Sequence, residues 1–249
     1  TDKFSPYTDT ADIRAELNIK PDENVLVYVS RLDESRSLVA KQYIQTIPEV
    51  AKHIERLRLI VVGGGDDFEN VKAEAEKVNQ ALGYPCVTLT GARTDINKLV
   101  ALSKLFIGVS RAALEAMAAE KPVIIAGNEG YIGLFDESKL QVGNDTNFCC
   151  RGCVMPSPEL LLKDTLRFFA MDPEQQEALG KYGRELIKKE YSVARMTDDS
   201  IRVYDWALSK QDEILISGYY GFKNSGDDAL LKSIIDDLKK YKESPNIVV

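Results

Sequence analysis

The chain has 249 residues, a formal charge of −7, and a composition that is 44% hydrophobic and 29% charged. That is enough apolar material for one large core, or for a domain with an appendage, and no run of roughly 18 apolar residues offers a membrane span. The acid excess disfavours nucleic acid as a main partner, because such partners demand spare Lys and Arg, so any anion site has to rest on a local basic cluster.

From residue 25 the sequence alternates short apolar runs with amphipathic stretches. The runs are Val25–Ser30, Leu57–Gly63, Cys86–Thr90, Leu105–Val109 and Pro122–Ala126, apolar and β-branched at successive positions, as in strands buried on both faces of a parallel sheet. Between them, helical spacing covers Arg36–His53, Phe68–Leu82, Asp95–Leu102 and Ala112–Glu120. Strand and helix alternating at this interval predict right-handed βαβ units, and hence an α/β, doubly wound parallel sheet. Gly127–Pro158 is rich in glycine and reads as loop. Helices are then expected over Pro158–Met171, Pro173–Glu190 and Val193–Leu208. A strand at Ile214–Ser217, a glycine-rich turn, a helix at Asp227–Tyr241 and a further strand at Asn246–Val249 follow. The expected domains are residues 1–210 and a short α/β appendage over 211–249, the truncated start of a second domain.

In such a sheet, ligands bind beyond the carboxyl ends of the strands, where the strand order reverses. The first run ends at Ser30-Arg31, with Arg36 close behind; the third ends at Gly91-Ala92-Arg93 and the fourth at Ser110-Arg111. Four arginines at one edge of an acidic protein predict an anion pocket, since the guanidinium fork matches phosphate oxygens and helix N-termini add partial positive charge. The competing reading, four unrelated solvated arginines, does not explain why all of them fall at strand ends. Gly63-Gly64-Gly65 serves either a tight turn or close approach of a ligand to the backbone. These glycines lack dinucleotide-fingerprint spacing, and the sequence has no phosphate-loop motif, which argues against NAD and ATP enzymes of the usual kinds. Glu115 lies one turn into the helix after Arg111, where a carboxylate either accepts ribose hydroxyls or complements the helix dipole. His53 reads as a surface or capping residue, which leaves little for histidine acid–base chemistry. No leader-like segment opens the sequence. Cys86, Cys149, Cys150 and Cys153 therefore read as reduced thiols of a cytoplasmic protein, and the last three lack the second ligand pair that structural zinc needs.

Several blocks together resemble a known family. Phe4-Ser5-Pro6, Val29-Ser30-Arg31-Leu32 with Arg36, Val62-Gly63-Gly64-Gly65, and Leu114-Glu115-Ala116-Met117-Ala118 with Lys121-Pro122-Val123-Ile124 resemble the carboxyl-terminal domain of group 1 (family 4) glycosyltransferases, from Thr1 to about Leu208. The resemblance implies the nucleotide-sugar-binding, Rossmann-like half of a two-domain GT-B fold. It implies no metal and no cofactor beyond the nucleoside-diphosphate sugar, and transfer of a sugar, with retention, to a saccharide or lipid-linked acceptor. That acceptor would be bound by an amino-terminal domain outside this chain, so the chain alone should catalyse little. By the same resemblance Arg31 and Arg36 hold the diphosphate, Arg36 standing where the family has lysine, and Glu115 binds the ribose. The base lies near Gly91 and Arg93, Gly63 and Gly64 come close to the ligand, and backbone donors at Ser110, Arg111, Ala112 and Ala113 face the distal phosphate or the sugar. The sequence departs from the family at Ile107, where another glutamate is usual, and its loop is shortened to Gly108–Arg111. Ile214–Leu231, with Gly218-Tyr-Tyr-Gly-Phe222 and Asn224-Ser-Gly-Asp227, resembles the opening of polysaccharide pyruvyl transferases. The pairing implies bacterial cell-wall polysaccharide synthesis, a setting compatible with peripheral membrane association of the full-length protein. The alternatives are a non-catalytic nucleotide-sugar-binding module attached to a pyruvyl transferase, or an epimerase-like enzyme.

Overall fold

The computed structural model describes residues 3–208, 213–216, 225–241 and 246–248. The chain divides into two compact units, Thr1–Glu190 and Tyr191–Val249.

The first unit is built on a six-stranded sheet. Its strands are β1 (Asn24–Val29), β2 (Leu57–Val62), β3 (Val87–Gly91), β4 (Leu105–Gly108), β5 (Val123–Gly127) and β6 (Gly130–Leu134), in the spatial order β3-β2-β1-β4-β5-β6. β1 pairs in parallel with both β2 and β4, so the strand order reverses between β1 and β4, as the alternation of runs predicts. The helices are α1 (Ala11–Glu16), α2 (Leu38–His53), α3 (Phe68–Leu82), α4 (Ile96–Leu102), α5 (Ser110–Ala118), α6 (Leu140–Asp145), α7 (Pro158–Ala170) and α8 (Pro173–Glu190).

Strand side chains alternate between two apolar layers. Leu26 and Tyr28 join α2, α3 and α7 on one face, packed with Tyr43, Ile47, Leu161 and Phe168. Val25 and Val27 join α1, α4, α5 and α8 on the other, packed with Ile13, Leu99, Met117 and Ile187. This period of two, with both faces covered, explains why the runs are apolar at most positions rather than at alternate ones. Each fully buried aliphatic chain contributes about 1.5–3 kcal/mol through burial.

The structure corrects the loop expected over Gly127–Pro158. β6 lies inside it and pairs antiparallel with β5 across the Asn128-Glu129 turn. Gly130 and Gly133, which gave the stretch its loop character, are required by packing: a Cβ on Gly130 would run into the Cys150 carbonyl, and one on Gly133 into the Asp164 carboxylate. Asp164 accepts hydrogen bonds from Tyr131 Oη at 2.7 Å and the Leu134 amide at 2.8 Å, stitching α7 to the hairpin.

The second unit contains α9 (Val193–Leu208) and a parallel pair, β7 (Glu213–Leu215) and β8 (Asn246–Val248), joined through α10 (Ser225–Tyr241). The Ile214–Leu231 motif is covered only in part, because residues 217–224 lie outside the described residues, as do residues 1, 2 and 249. Among the described residues no helix is long and apolar enough to cross a membrane.

Candidate functional site

At the carboxyl edge of the sheet the hydrogen-bond ladder continues past the strands. The Ser30 amide donates to the Val62 carbonyl, Leu32 to Gly64, Gly63 to Gly91 and Asp67 to Leu32, all between 2.9 and 3.1 Å. Gly63 sits at φ +150, and a Cβ there would meet the Ser30 carbonyl oxygen. Close approach of the β1 loop, rather than a tight turn or a ligand, is what requires glycine here.

Below that loop is a carboxylate hub. Asp67 is buried and accepts from Ser37 Oγ, from Lys41 Nζ at 2.5 Å and from Asn70 Nδ2 at 2.7 Å. Lys41 first, then Ser37 and Asn70, hold its carboxyl down to about 2. Asp66 accepts the Glu34 amide at 3.0 Å. The segment that carries Arg36 is thus tied at both ends to the start of α3.

Beside it, at the β1/β4 reversal, a cleft of 420 Å³ opens. One wall is Ser30, Ser35 and Arg36; the floor includes Tyr28, Gly108 and Val109; the other wall is the β5–β6 turn with Cys149 and Arg151. Arg36 reaches Asp33 through a single 3.4 Å contact and is 44% exposed, so most of its donors remain available to a ligand. Asn128 Nδ2 donates to the Ser35 carbonyl, spanning the cleft from wall to wall. Burial pushes the Tyr28 phenol up to about 12 against the opposing effect of its Ser30 hydrogen bond, so the floor presents a neutral hydroxyl.

The structure separates the other expected residues. Arg31 is exposed but is not part of the cleft lining. Arg93 has its guanidinium bound to Asp95 through two bonds of 2.8 and 2.7 Å and to Glu16 through two of 2.5 and 2.9 Å. It therefore ties α1 to the start of α4 and carries no spare charge toward an anion. Gly91 closes β3 at φ +73 with open space where a Cβ would stand, and the Gly64 carbonyl is engaged by Leu32. Ser110 is held at φ +52, a left-handed conformation costing about 1–2 kcal/mol, with its amide donated to the Phe148 carbonyl at 2.8 Å. Ala113 is buried in the core and its amide turns to the Val109 carbonyl. Arg111 and Ala112 lie in the first turn of α5, where helix amides have no carbonyl four residues back within the helix. The Arg111 side chain is 90% exposed and stands 3.7 Å from Glu115. Burial raises the Glu115 carboxyl above its ordinary value, while the charges of Arg111 and Lys3 pull it back. Ile107 is fully buried in β4, level with Tyr28 and Ile124.

Three lining residues, Asn128, Glu129 and Arg151, escaped sequence reasoning. Glu129 and Arg151 form an ion pair at the far wall, Arg151 Nε to Glu129 Oε1 at 3.1 Å and Nη2 to Oε2 at 3.2 Å. The only signal was an arginine inside the cysteine cluster, which drew attention to sulfur instead. Among the described residues no group of three or more His, Cys, Asp or Glu side chains is placed to hold a metal ion. Cys150 is buried with its thiol pushed up to about 12, chiefly by that burial.

Residues 9–186 match the family described as Glycosyl transferases group 1. The chain belongs to the group 1 glycosyltransferases. A Bacillus subtilis (strain 168) protein named glycosyltransferase EpsD is 24% identical over 216 residues, covering 82% of this chain and 51% of its own length. This glycosyltransferase chain thus spans about half the length of the curated relative it matches. Solved glycosyltransferases share the fold. One from Rickettsia africae ESF-5 superposes with a TM-score of 0.63 at 16% identity, covering 84% of this chain and 55% of that one. Anabaena Alr3699/HepE, in complex with UDP and glucose, gives 0.59 at 18% identity, covering 82% and 54%. The C-terminal domain of a group 1 family glycosyl transferase, LpcC, from Francisella tularensis gives 0.57 at 18% identity, covering 77% of this chain and 97% of that domain. The six-stranded, mostly parallel sheet is that of the GT-B glycosyltransferases.

Proposed function

We propose that this domain binds the nucleoside-diphosphate sugar of a GT-B glycosyltransferase. In this reading it transfers a hexosyl residue, with retention of configuration, to a saccharide or lipid-linked acceptor held by a second domain. The observation that carries the proposal is the cleft at the β1/β4 reversal, with Arg36 on its wall and the first turn of α5 beginning next to Val109 of its floor. A departing diphosphate gathers negative charge as the glycosidic bond breaks. Preorganised donors aimed at that charge lower the barrier because they need no reorganisation as it develops. Arg36 supplies a forked cation, Arg111 and Ala112 supply backbone N–H groups, and Glu115 accepts ribose hydroxyls. This machinery needs no metal. The base then lies toward Gly91, with Arg93 a scaffold for that end of the site. Surface-polysaccharide synthesis in the cytoplasm suits the pyruvyl transferase-like order of Ile214–Leu231.

The buried Ile107 favours a second reading, a donor-binding module without chemistry, because β4 offers no carboxylate beside the sugar. Calorimetric titration with UDP, GDP and their sugars tests the donor site. The chain should bind one nucleotide saturably, and Arg36→Ala should weaken it about tenfold through loss of a charge-assisted bond. Arg93→Ala should leave affinity within about twofold while lowering stability by about 1 kcal/mol. Binding that ignores Arg36, or no nucleotide binding at all, overturns the assignment.

A further inference from the structure

Reading the sheet edge in spatial order gives the site a direction. The strand ends run β3, β2, β1, β4, β5, β6, with neighbouring strands about 4.8 Å apart. If the diphosphate sits at the β1/β4 reversal and the base toward Gly91 on β3, the sugar must extend the other way, over β5 and the β5–β6 turn. On that side the cleft is lined by Asn128, Glu129, Cys149 and Arg151. Glu129 is the only carboxylate among the lining residues, and carboxylates accept sugar hydroxyls well.

Its position is fixed from three directions. Arg151 grips it through two nitrogens, and the Asn128 side chain anchors the turn to the Ser35 carbonyl opposite. The Gly130 backbone is pressed against the Cys150 carbonyl, in the same loop that carries Arg151. Glu129 and Arg151 side chains are 49% and 60% exposed, so the pair adds little to stability and both oxygens of Glu129 keep lone pairs open to the cleft.

We propose that Glu129 is a specificity-determining residue that accepts hydroxyl hydrogen bonds from the transferred sugar, and that Arg151 is its positioning residue. The proposal rests on the nucleotide-sugar reading above and deepens it. It also answers the lack of a carboxylate on β4, since the acceptor is supplied from the turn after the next strand, β5.

The test separates sugar from nucleotide. The full chain, Glu129→Ala, Glu129→Gln and Arg151→Met are titrated with UDP-glucose, UDP-galactose, UDP-N-acetylglucosamine and GDP-mannose, each beside its parent UDP or GDP, with thermal melting to confirm folding. For the sugar that wild type binds tightest, Glu129→Ala should weaken the sugar nucleotide about tenfold and leave the parent nucleotide within about twofold. Glu129→Gln should recover part of the loss, and Arg151→Met should fall between Gln and Ala. Equal losses for nucleotide and sugar nucleotide, or no loss in any variant, overturn the role of Glu129 while the donor site stands. Failure of wild type to bind any of the six ligands overturns the donor site and this inference with it.

Discussion

Removing the Asp67 carboxylate should loosen the segment that carries Arg36 by a predictable amount. Asp67→Ala deletes the acceptor of three side-chain bonds, from Ser37, Lys41 and Asn70. The aspartate is 2% exposed, but Lys41 is 33% exposed and rehydrates when its partner goes, so the loss falls below the ~3–5 kcal/mol of a fully buried broken pair. We expect about 2–3 kcal/mol for alanine and about 1–2 for asparagine, which keeps one acceptor oxygen. The sign with pH follows from the carboxyl being held down to about 2 from an ordinary 3.8, first by Lys41. The unfolded chain takes up a proton where the folded chain does not, so this stabilisation is complete above the unfolded value and is lost as pH falls through 3.8 toward 2. Urea denaturation followed by circular dichroism, at intervals from pH 7 down to 3, reads both effects. A wild-type advantage over Asp67→Asn below about 0.5 kcal/mol at neutral pH, or one that does not shrink on acidification, refutes the reasoning.

Two further outcomes are expected. Gly63→Ala should cost about 3 kcal/mol, because the new Cβ meets the Ser30 carbonyl at a backbone angle only glycine adopts readily; thermal melting checks this, and a near-neutral result would mean the two loops separate easily. Thiol labelling of the native chain should modify Cys149 and Cys153, while Cys86 and Cys150 react only on unfolding, since both are buried and burial raises their thiols above the ordinary range. A bound sugar nucleotide should slow the labelling of Cys149, which lines the sugar side of the proposed site, more than its parent nucleotide does.

The parallel strands were legible because both faces are buried, which prints a run of mostly apolar residues. Leu57–Val62 is buried at every position, even at its one charged residue, Arg58, which bonds Thr88 and Glu23. The helices were legible from their period, and α2 even where Pro48 removes one amide from its interior. β6 was not, because Gly130-Tyr-Ile-Gly-Leu134 has glycines whose purpose is long-range: the obstacles they avoid come from Cys150 and Asp164. α1, six residues long, has too few turns to show a period. For the site, position at a strand end identified Arg36, but the same rule could not tell it from Arg93, whose charge is consumed by Glu16, 77 residues away in sequence. Glu129 and Arg151 lie in turn and loop without periodicity, and only the hairpin brings them to the cleft.

The ladder that runs past the ends of β1, β2 and β3 also bears on how such a site can diversify. Three loops share their backbone bonds there, so an insertion in any one of them unpairs its neighbours, and that half of the edge can change only by side-chain replacement. The turn between β5 and β6 closes an edge hairpin and reaches the opposite wall through a side chain, Asn128 to the Ser35 carbonyl, so residues there can be exchanged without unzipping the parallel ladder. In the proposed donor site, new sugar preferences can therefore arise on the far wall while the opposite end stays fixed, an asymmetry of evolvability set by where backbone bonding stops.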